Sequence, residues 1–321
     1  MIASRLAQLP LILAAVYTLT LALAWAVPGN PLDRPEGRRP DPEVVKAMLA
    51  RYNMDSFGGF YWSYLADASG VSYARARLTG TPTSGPVFDF GPSLQYPDRS
   101  VNEMIAASLP VSATIGVLAV LVGLGVGLGA GLLGAARPKT WVDTGSLALA
   151  MVGISLPAFV VGAGLQMVFS LWLGWFSVAS WGHPRDLVLP AVTLGLPYAA
   201  YIARLTRVGL MEQLTSDYAR TALAKGLSRR EVLLRHALPN AILPVVSYLG
   251  PASAAAMTGS FVVERVFSIP GGMGQHFVNA VQNKDLFLII GVVLVYSTLL
   301  VVLNLAVDVL YRWIDPRIRT D

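Results

Sequence analysis

Residues Asp217 to Pro239 read DYARTALAKGLSRREVLLRHALP, a polar, arginine-rich stretch between two long apolar segments. In a membrane chain such a stretch must lie in water, and its excess of Lys and Arg favours the cytoplasmic side. Ala219 to Lys225 contains strong helix formers, and Gly226 can adopt the positive φ that ends a helix. Ser228 can cap a second helix, with Glu231 at the capping-box position. The stretch therefore predicts a rigid elbow of two short helices.

The composition is that of a protein that resides in a bilayer. Hydrophobic residues make up 54% of the chain and charged residues only 13%, whereas a soluble domain carries about 25% charged residues. Apolar segments of roughly 20 residues are the length that crosses a membrane as a helix. The sequence therefore predicts an all-α membrane protein with six transmembrane helices. They are approximately Leu9–Val27, Ser108–Ala135, Leu147–Leu171, Leu187–Ala203, Ala241–Val263 and Leu286–Val307.

The distribution of Lys and Arg predicts the orientation of these helices. Thirteen of these residues fall at the termini and in the connections on one side, against three in the two short loops opposite. This asymmetry places both termini and the segment 204–240 in the cytoplasm. The long segment 28–107 is then extracytoplasmic. A cleaved signal peptide is the alternative for the first span, but its apolar run is long for one.

Glycine and proline positions within the spans indicate how the helices pack. Gly123, Gly127 and Gly131 recur every four residues, which predicts a smooth face that another helix can approach closely. Gly129 begins a literal GxGxxG match, but a dinucleotide site requires a preceding strand, and here a long apolar helix precedes it. Pro157 can kink the third span.

The spacing within the polar stretch resembles the signature loop of permease subunits of ATP-binding-cassette importers. That loop usually reads Glu-Ala-Ala, then three residues, Gly, nine residues and Ile-x-Leu-Pro. Its Gly and its Leu-Pro are present here at the same spacing. Arg220, Thr221 and His236 replace the Glu, the first Ala and the Ile of the pattern. The departures are similar to the oligopeptide/dipeptide/nickel branch of the family. By this resemblance, the residues that couple the chain to an ATPase are Asp217, Tyr218, Arg220, Thr221, Ala222, Lys225, Gly226, Arg235, His236, Leu238 and Pro239.

A second stretch, from Glu264 to Gly274, resembles the Val-Glu-x-x-Phe-x-x-Pro-Gly-x-Gly marker that follows the fifth span in this family, with one extra residue before the last Gly. The resemblance implies a compact extracytoplasmic loop that gates the pathway or contacts a binding protein, and a plain connecting turn is the alternative. The residues concerned are Glu264, Phe267, Pro270, Gly271 and Gly274. Within the long external segment, residues 56–86 depart from the family pattern. They could contact a binding protein, although a tolerated surface insertion is the favoured interpretation.

The resemblance implies the type I importer permease fold: a single transmembrane permease domain over residues 1–321, with an extracytoplasmic insertion between helices 1 and 2. The chain would sit as a multi-pass protein in the bacterial inner membrane and form the path for short peptides. Its implied partners are a homologous second permease, two cytoplasmic ATPases, an extracytoplasmic substrate-binding protein and membrane lipid, with no nucleic acid. Nickel or a glycoside remains an alternative cargo.

Rival classes lack the residues that they require. The chain has no G-x-x-x-x-G-K-[ST] phosphate loop, so ATP and Mg²⁺ are expected on separate ATPase chains and no cofactor on this one. Its three histidines form no H-E-x-x-H motif, and no G-x-S-x-G is present. We therefore expect no catalytic or metal-ligating residues and no enzymatic activity. A passive channel would not require the helical elbow.

Overall fold

The computed structural model describes residues 2–27, 42–81, 85–96 and 98–314, and in this part of the chain the secondary structure is helical apart from an isolated bridge between Pro92 and Ser100. Residues 28–41, 82–84 and 97 of the predicted external segment lie outside the described residues. The helices are α1 Ile2–Ala26, α2 Pro42–Arg51, α3 Phe57–Ala68, α4 Val71–Leu78, α5 Val101–Ala136, α6 Trp141–Ser155, α7 Ala158–Leu165, α8 Val188–Leu214, α9 Asp217–Ala224, α10 Arg229–Glu231, α11 Leu238–Ala241, α12 Leu243–Val266, α13 Met273–Gln282 and α14 Leu286–Ile314. Two π-helical segments, Gln166–Trp172 and Val232–Ala237, continue α7 and α10, and a 3₁₀ turn, Pro184–Leu187, precedes α8.

Four of the described helices are long and apolar enough to cross a membrane. A fifth crossing exists if the bent pair Arg229–Ala241 and Leu243–Met257, which meet at 48°, is one broken span. The six continuous spans expected from the sequence are therefore not all present as single helices. The four helices cover Ala7–Ala26, Val101–Ala136, Pro184–Leu214 and Leu286–Val309.

The third predicted span is interrupted in the structure, and the fourth is longer than predicted. The predicted span Leu147–Leu171 is interrupted, because α6 ends at Ser155 and Pro157 has an extended backbone with ψ of 136°. Proline disfavours the helical conformation of the residue before it and removes a backbone donor. The fourth span does not end at Ala203 as predicted, since α8 continues to Leu214. Arg204 and Arg207 therefore lie on a helix rather than in a loop.

The chain divides into two compact units, one comprising Ser112–Pro270 with the residues from Leu300 onward, the other Ile2–Val111 with Gly271–Leu299. In the first unit, the predicted glycine face of α5 is present, and the helix that packs against it is α8. A Cβ atom on Gly127 would lie 2.7 Å from the Ala199 carbonyl oxygen, and one on Gly131 would lie 2.6 Å from Thr206 Cβ. The two backbones can approach this closely only because these side chains are absent.

The second unit has an aromatic centre that joins α3 to α1 and to the start of α14. Tyr64 stacks on Tyr17 at a centroid distance of 5.8 Å, and Phe60 meets Phe287 edge to face at 5.4 Å. Tyr17 also donates a hydrogen bond of 2.8 Å to the Tyr61 carbonyl. The first part of the segment 56–86 is thus bound into this core. By contrast, α4 contributes no buried residue.

Candidate functional site

The predicted elbow is present as two helices that meet at Gly226. Helix α9 ends in a turn in which Gly226 N–H donates to Leu223 O at 3.0 Å and Leu227 N–H donates to Ala222 O at 3.3 Å. These two hydrogen bonds define a Schellman motif, in which the first residue after the C-cap adopts the left-handed conformation. Gly226 supplies that conformation with φ of +88°. The prediction of a positive φ at Gly226 is confirmed.

The second helix of the elbow runs from Arg229 to Ala241 through α10, a π-helical segment and α11. The predicted capping box begins it: Ser228 Oγ accepts from Glu231 N–H at 3.3 Å, and the Glu231 carboxylate accepts from Ser228 N–H at 3.0 Å. Two backbone donors at the helix start are thereby satisfied. Each arm of the elbow therefore has a defined end, and the joint between them is short.

The inner face of the elbow is apolar and packs within the first unit. Ala219 and Ala222 of α9 form a buried cluster with Val232 of the second arm. Ala237 and Ala241 form another with Ala135 at the end of α5 and with Leu210 of α8. Small side chains at these positions bring the arms close to each other and to the ends of both long helices.

The outer face of the elbow carries most of the residues predicted to couple to an ATPase. Tyr218 donates a 2.6 Å hydrogen bond to Gln213, and Thr221 donates to the Asp217 carbonyl at 2.8 Å. Arg220 lies 3.9 Å from the Asp217 carboxylate, and both groups are exposed. Of the predicted set, Ala222 is buried, His236 and Leu238 are partly buried, and the exposed members are Asp217, Tyr218, Arg220, Thr221, Lys225, Gly226, Arg235 and Pro239.

The residues of the second predicted site have unequal accessibility. Glu264 and Phe267 are buried, and a Cβ atom on Gly162 would lie 3.2 Å from the Phe267 ring. Helix α12 ends immediately before Phe267, in a turn where Ile269 N–H donates to the Glu264 carbonyl at 2.9 Å. Pro270 and Gly271 are exposed, and Gly274 is buried at the start of α13. Only Pro270 and Gly271 of this set are accessible to a partner on this chain by itself.

Sequence reasoning missed an ion pair between α6 and α8. The Arg207 guanidinium donates two hydrogen bonds to the Asp143 carboxylate, the one from Nη2 at 2.8 Å, and Lys139 N–H donates a third at 3.0 Å. The arginine and the backbone donor lower the pKa of Asp143 to about 2. The signal in the sequence was an acidic residue in the first turn of a helix, but nothing there indicated its partner.

A buried carboxylate at the start of α14 was also missed. Asp285 accepts hydrogen bonds from Ser93 Oγ at 2.5 Å, from Leu94 N–H at 3.0 Å and from Leu288 N–H at 3.2 Å. Burial raises the pKa of this carboxyl, and the hydrogen bonds oppose that effect. Asp285 thereby caps α14 and fixes the segment that precedes α5.

Comparison with known proteins identifies the family of this chain. Residues 103–320 match the family described as "Binding-protein-dependent transport system inner membrane component", and the chain belongs to this family. It is therefore a multi-pass membrane protein of the permease class and not an enzyme, as the sequence predicted.

Full-length relatives are found within that family. The chain is 38% identical over 304 residues to the dipeptide transport system permease protein DppB of Bacillus subtilis, covering 95% of this chain and 92% of the relative. It is 39% identical over 308 residues to the oligopeptide transport system permease protein OppB of Salmonella typhimurium, covering 95% and 94%. Among solved structures, an inward-facing form of the MetNI methionine ABC transporter gives a TM-score of 0.53 at 17% identity, covering 66% of this chain and 96% of that one. The last similarity concerns the fold alone.

Proposed function

We propose that this chain is one permease subunit of an ATP-driven importer of short peptides in the bacterial inner membrane. The observation that carries the proposal is the similarity to dipeptide and oligopeptide permeases, at 38% and 39% identity over 95% of the chain. Six spans with both termini in the cytoplasm are part of it, with the segment 28–107 on the opposite side. The excess of Lys and Arg in 204–240 and at the termini supports this orientation.

The elbow is the surface on which a cytoplasmic ATPase acts. Its two arms have defined caps and a buried inner face, so a force on the exposed side of α9 displaces the elbow as a body. Cycles of ATP binding and hydrolysis on two such ATPases would reorient this chain and a homologous second permease around a central path. ATP hydrolysis supplies the free energy, and the difference in affinity of the bound partners for the two orientations determines which orientation is favoured at each step.

The delivery side consists of an extracytoplasmic binding protein that releases its peptide to the paired permeases. The exposed turn at Pro270 and Gly271 is a contact for that protein in this proposal. Helix α4, whose side chains are not used in the core of its unit, is a second accessible surface. This chain supplies the path and the coupling surface, and ATP with Mg²⁺ binds to the partner ATPases.

The test is uptake of a labelled dipeptide by cells that lack this chain and by cells that carry it on a plasmid. We expect uptake to depend on the chain and to be abolished when the ATPase of the same transport system is deleted. Uptake that survives the ATPase deletion would identify a passive channel. Restoration of nickel or glycoside uptake instead of dipeptide uptake, at equal membrane expression, would replace the peptide assignment with that cargo.

A further inference from the structure

The connection between α7 and α8 exposes a group of large apolar side chains, and residues 171–181 are called the aromatic loop here. Its exposed apolar side chains are those of Leu171, Trp172, Leu173, Trp175 and Val178. The two tryptophans leave 70% and 60% of their surface accessible. No Asp, Glu, Lys or Arg occurs from residue 144 to residue 184. A patch of this kind marks contact with another molecule or with a membrane.

The aromatic loop is tied to both of the helices that it joins. The Phe169 ring lies 5.7 Å from the Trp175 ring, measured between centroids. Trp175 N–H also donates a hydrogen bond of 2.9 Å to the Phe169 carbonyl. At the other end, the buried Asp186 carboxylate accepts from Ser180 Oγ at 2.9 Å and from His183 N–H at 3.1 Å. The exposed side chains therefore form a defined surface.

The two ends of the aromatic loop lie at the border of the hydrocarbon layer. Gly162 of α7 packs against α8, where a Cβ atom on it would lie 3.1 Å from Thr193 Cγ2. Trp172 is ten residues beyond Gly162, which is about 15 Å at 1.5 Å per residue. Pro184 is nine residues before Thr193, which is about 14 Å. Thr193 is close to the middle of the predicted span Leu187–Ala203, and the hydrocarbon layer extends about 15 Å to each side of the bilayer centre.

The composition of the aromatic loop favours lipid over a protein that binds and leaves. A transient protein interface is only about as apolar as the rest of a protein surface and has a polar rim, whereas residues 144–184 contain no charged side chain of the four types. Tryptophan combines an apolar ring with an N–H donor, and it is enriched where hydrocarbon meets water. Leu171 and Leu173 add aliphatic side chains that are stabilised by leaving water.

We propose that the aromatic loop lies in the interface of the extracytoplasmic leaflet, with Trp172 and Trp175 at the level of the lipid headgroups and Leu171 against the acyl chains. The assignment of the leaflet rests on the proposed function, which places the elbow at the cytoplasmic end of α8. This contact fixes the height of the outer ends of α7 and α8 in the bilayer. It thereby resists movement of α8 along the membrane normal when the elbow at its other end is pushed.

The test measures contact with lipid at single sites. The chain contains no cysteine, so Trp172→Cys or Val178→Cys places one nitrobenzoxadiazole label on it. The full-length chain, with the subunits that copurify with it, is placed in phosphatidylcholine nanodiscs that carry a nitroxide either near the headgroup or near the end of the acyl chain. We expect strong quenching by the shallow nitroxide, weaker quenching by the deep one and little quenching by aqueous iodide. Addition of phosphatidylglycerol should change nothing, because no charged residue takes part.

The role of the tryptophans is tested with the label at Val178→Cys. Trp172→Ser/Trp175→Ser should abolish quenching of this label by the shallow nitroxide. Trp172→Tyr/Trp175→Tyr should restore it, because tyrosine shares the preference for the interface. Equal quenching in the serine and tyrosine variants would contradict the role given to these two rings.

The matched control is Leu78→Cys, another exposed apolar side chain, on α4 in the segment 28–107. Its label should be quenched by iodide and not by the nitroxide lipids. Labels in the aromatic loop that behave like this control overturn the proposal. So do labels that respond to neither quencher, which would assign the patch to the second permease, and labels that are shielded only when loaded binding protein is added.

The orientation is measured separately from the contact with lipid. An impermeant maleimide should label His183→Cys in intact spheroplasts. Labelling only after lysis would refute the leaflet and the orientation in the proposed function, while the nitroxide lipids still decide whether the loop contacts the membrane. Absence of peptide uptake would refute the cargo and leave both results in place.

Discussion

Replacement of Gly226 tests whether the angle of the elbow couples ATP hydrolysis to uptake. The residue has φ of +88°, and a Cβ atom built on it meets nothing within 4 Å. An alanine or asparagine there therefore acts through backbone strain and not through a clash at Cβ. For an L-residue the left-handed conformation costs about 1–2 kcal/mol, with asparagine at the lower end. Proline cannot adopt it, since its ring fixes φ near about −65°. It also removes the donor of the hydrogen bond to Leu223.

We expect uptake per ATP hydrolysed to fall in the order glycine, asparagine, alanine, proline. Gly226→Asn should remain close to the wild type, and Gly226→Pro should insert normally and hydrolyse ATP with little uptake. The assay is peptide uptake and phosphate release by the same proteoliposomes, supplied with loaded binding protein. Gly80→Ala is the matched control, because Gly80 also has a positive φ of 68° and open surroundings. Wild-type coupling in Gly226→Pro at normal expression would refute the reasoning.

Three further changes test the surroundings of the elbow. Gly127→Val places atoms against α8 and should cost about 1–3 kcal/mol of stability, which is measured as a lower melting temperature in detergent. Gly129→Val is the control and should not lower the melting temperature, because the space around its Cβ is open. Because the pKa of Asp143 is depressed to about 2, its ion pair with Arg207 stabilises the fold above about pH 4, and this stabilisation is lost as the pH falls towards 2. The melting temperature should therefore fall over this pH range, and Asp143→Asn should abolish that dependence. Ser228→Ala should cost about 1 kcal/mol and accelerate amide exchange in the first turn after residue 228, and unchanged exchange would contradict the capping role.

The predictable part of the site is the part that depends on near neighbours in the chain. Gly226 and the capping box of Ser228 with Glu231 were predicted correctly because a helix end is determined by residues within about one turn. The Asp143 and Arg207 pair spans 64 positions, and the Asp285 and Ser93 contact spans 192. No local pattern identifies such partners. The same limit explains why the predicted fourth span ends at Ala203, whereas α8 continues to Leu214.

The prediction of close helix packing was confirmed for the glycines that recur every four residues. Gly123, Gly127 and Gly131 lie on one face of any α-helix. The close approach of another helix could therefore be predicted without knowing which helix it is. The break at Pro157 was predicted only as a kink, because the amount of bending depends on what satisfies the freed backbone groups. The π-helical segment Val232–Ala237 had no sequence signal at all.

A displacement of the elbow reaches the spans only if the intervening contacts are stiff. Two contacts of α8 bring backbones together, and a third is its ion pair with α6. A Cβ atom on Gly209 would lie 2.9 Å from the Ala241 carbonyl oxygen of the elbow, and Gly127 brings the α5 backbone equally close. The Asp143 carboxylate of α6 accepts two hydrogen bonds from Arg207 of α8. Contacts between backbones leave no long side chain to reorient and absorb the motion. The elbow, α5, α6 and α8 should therefore move together, which is the property that a subunit driven from outside the membrane requires.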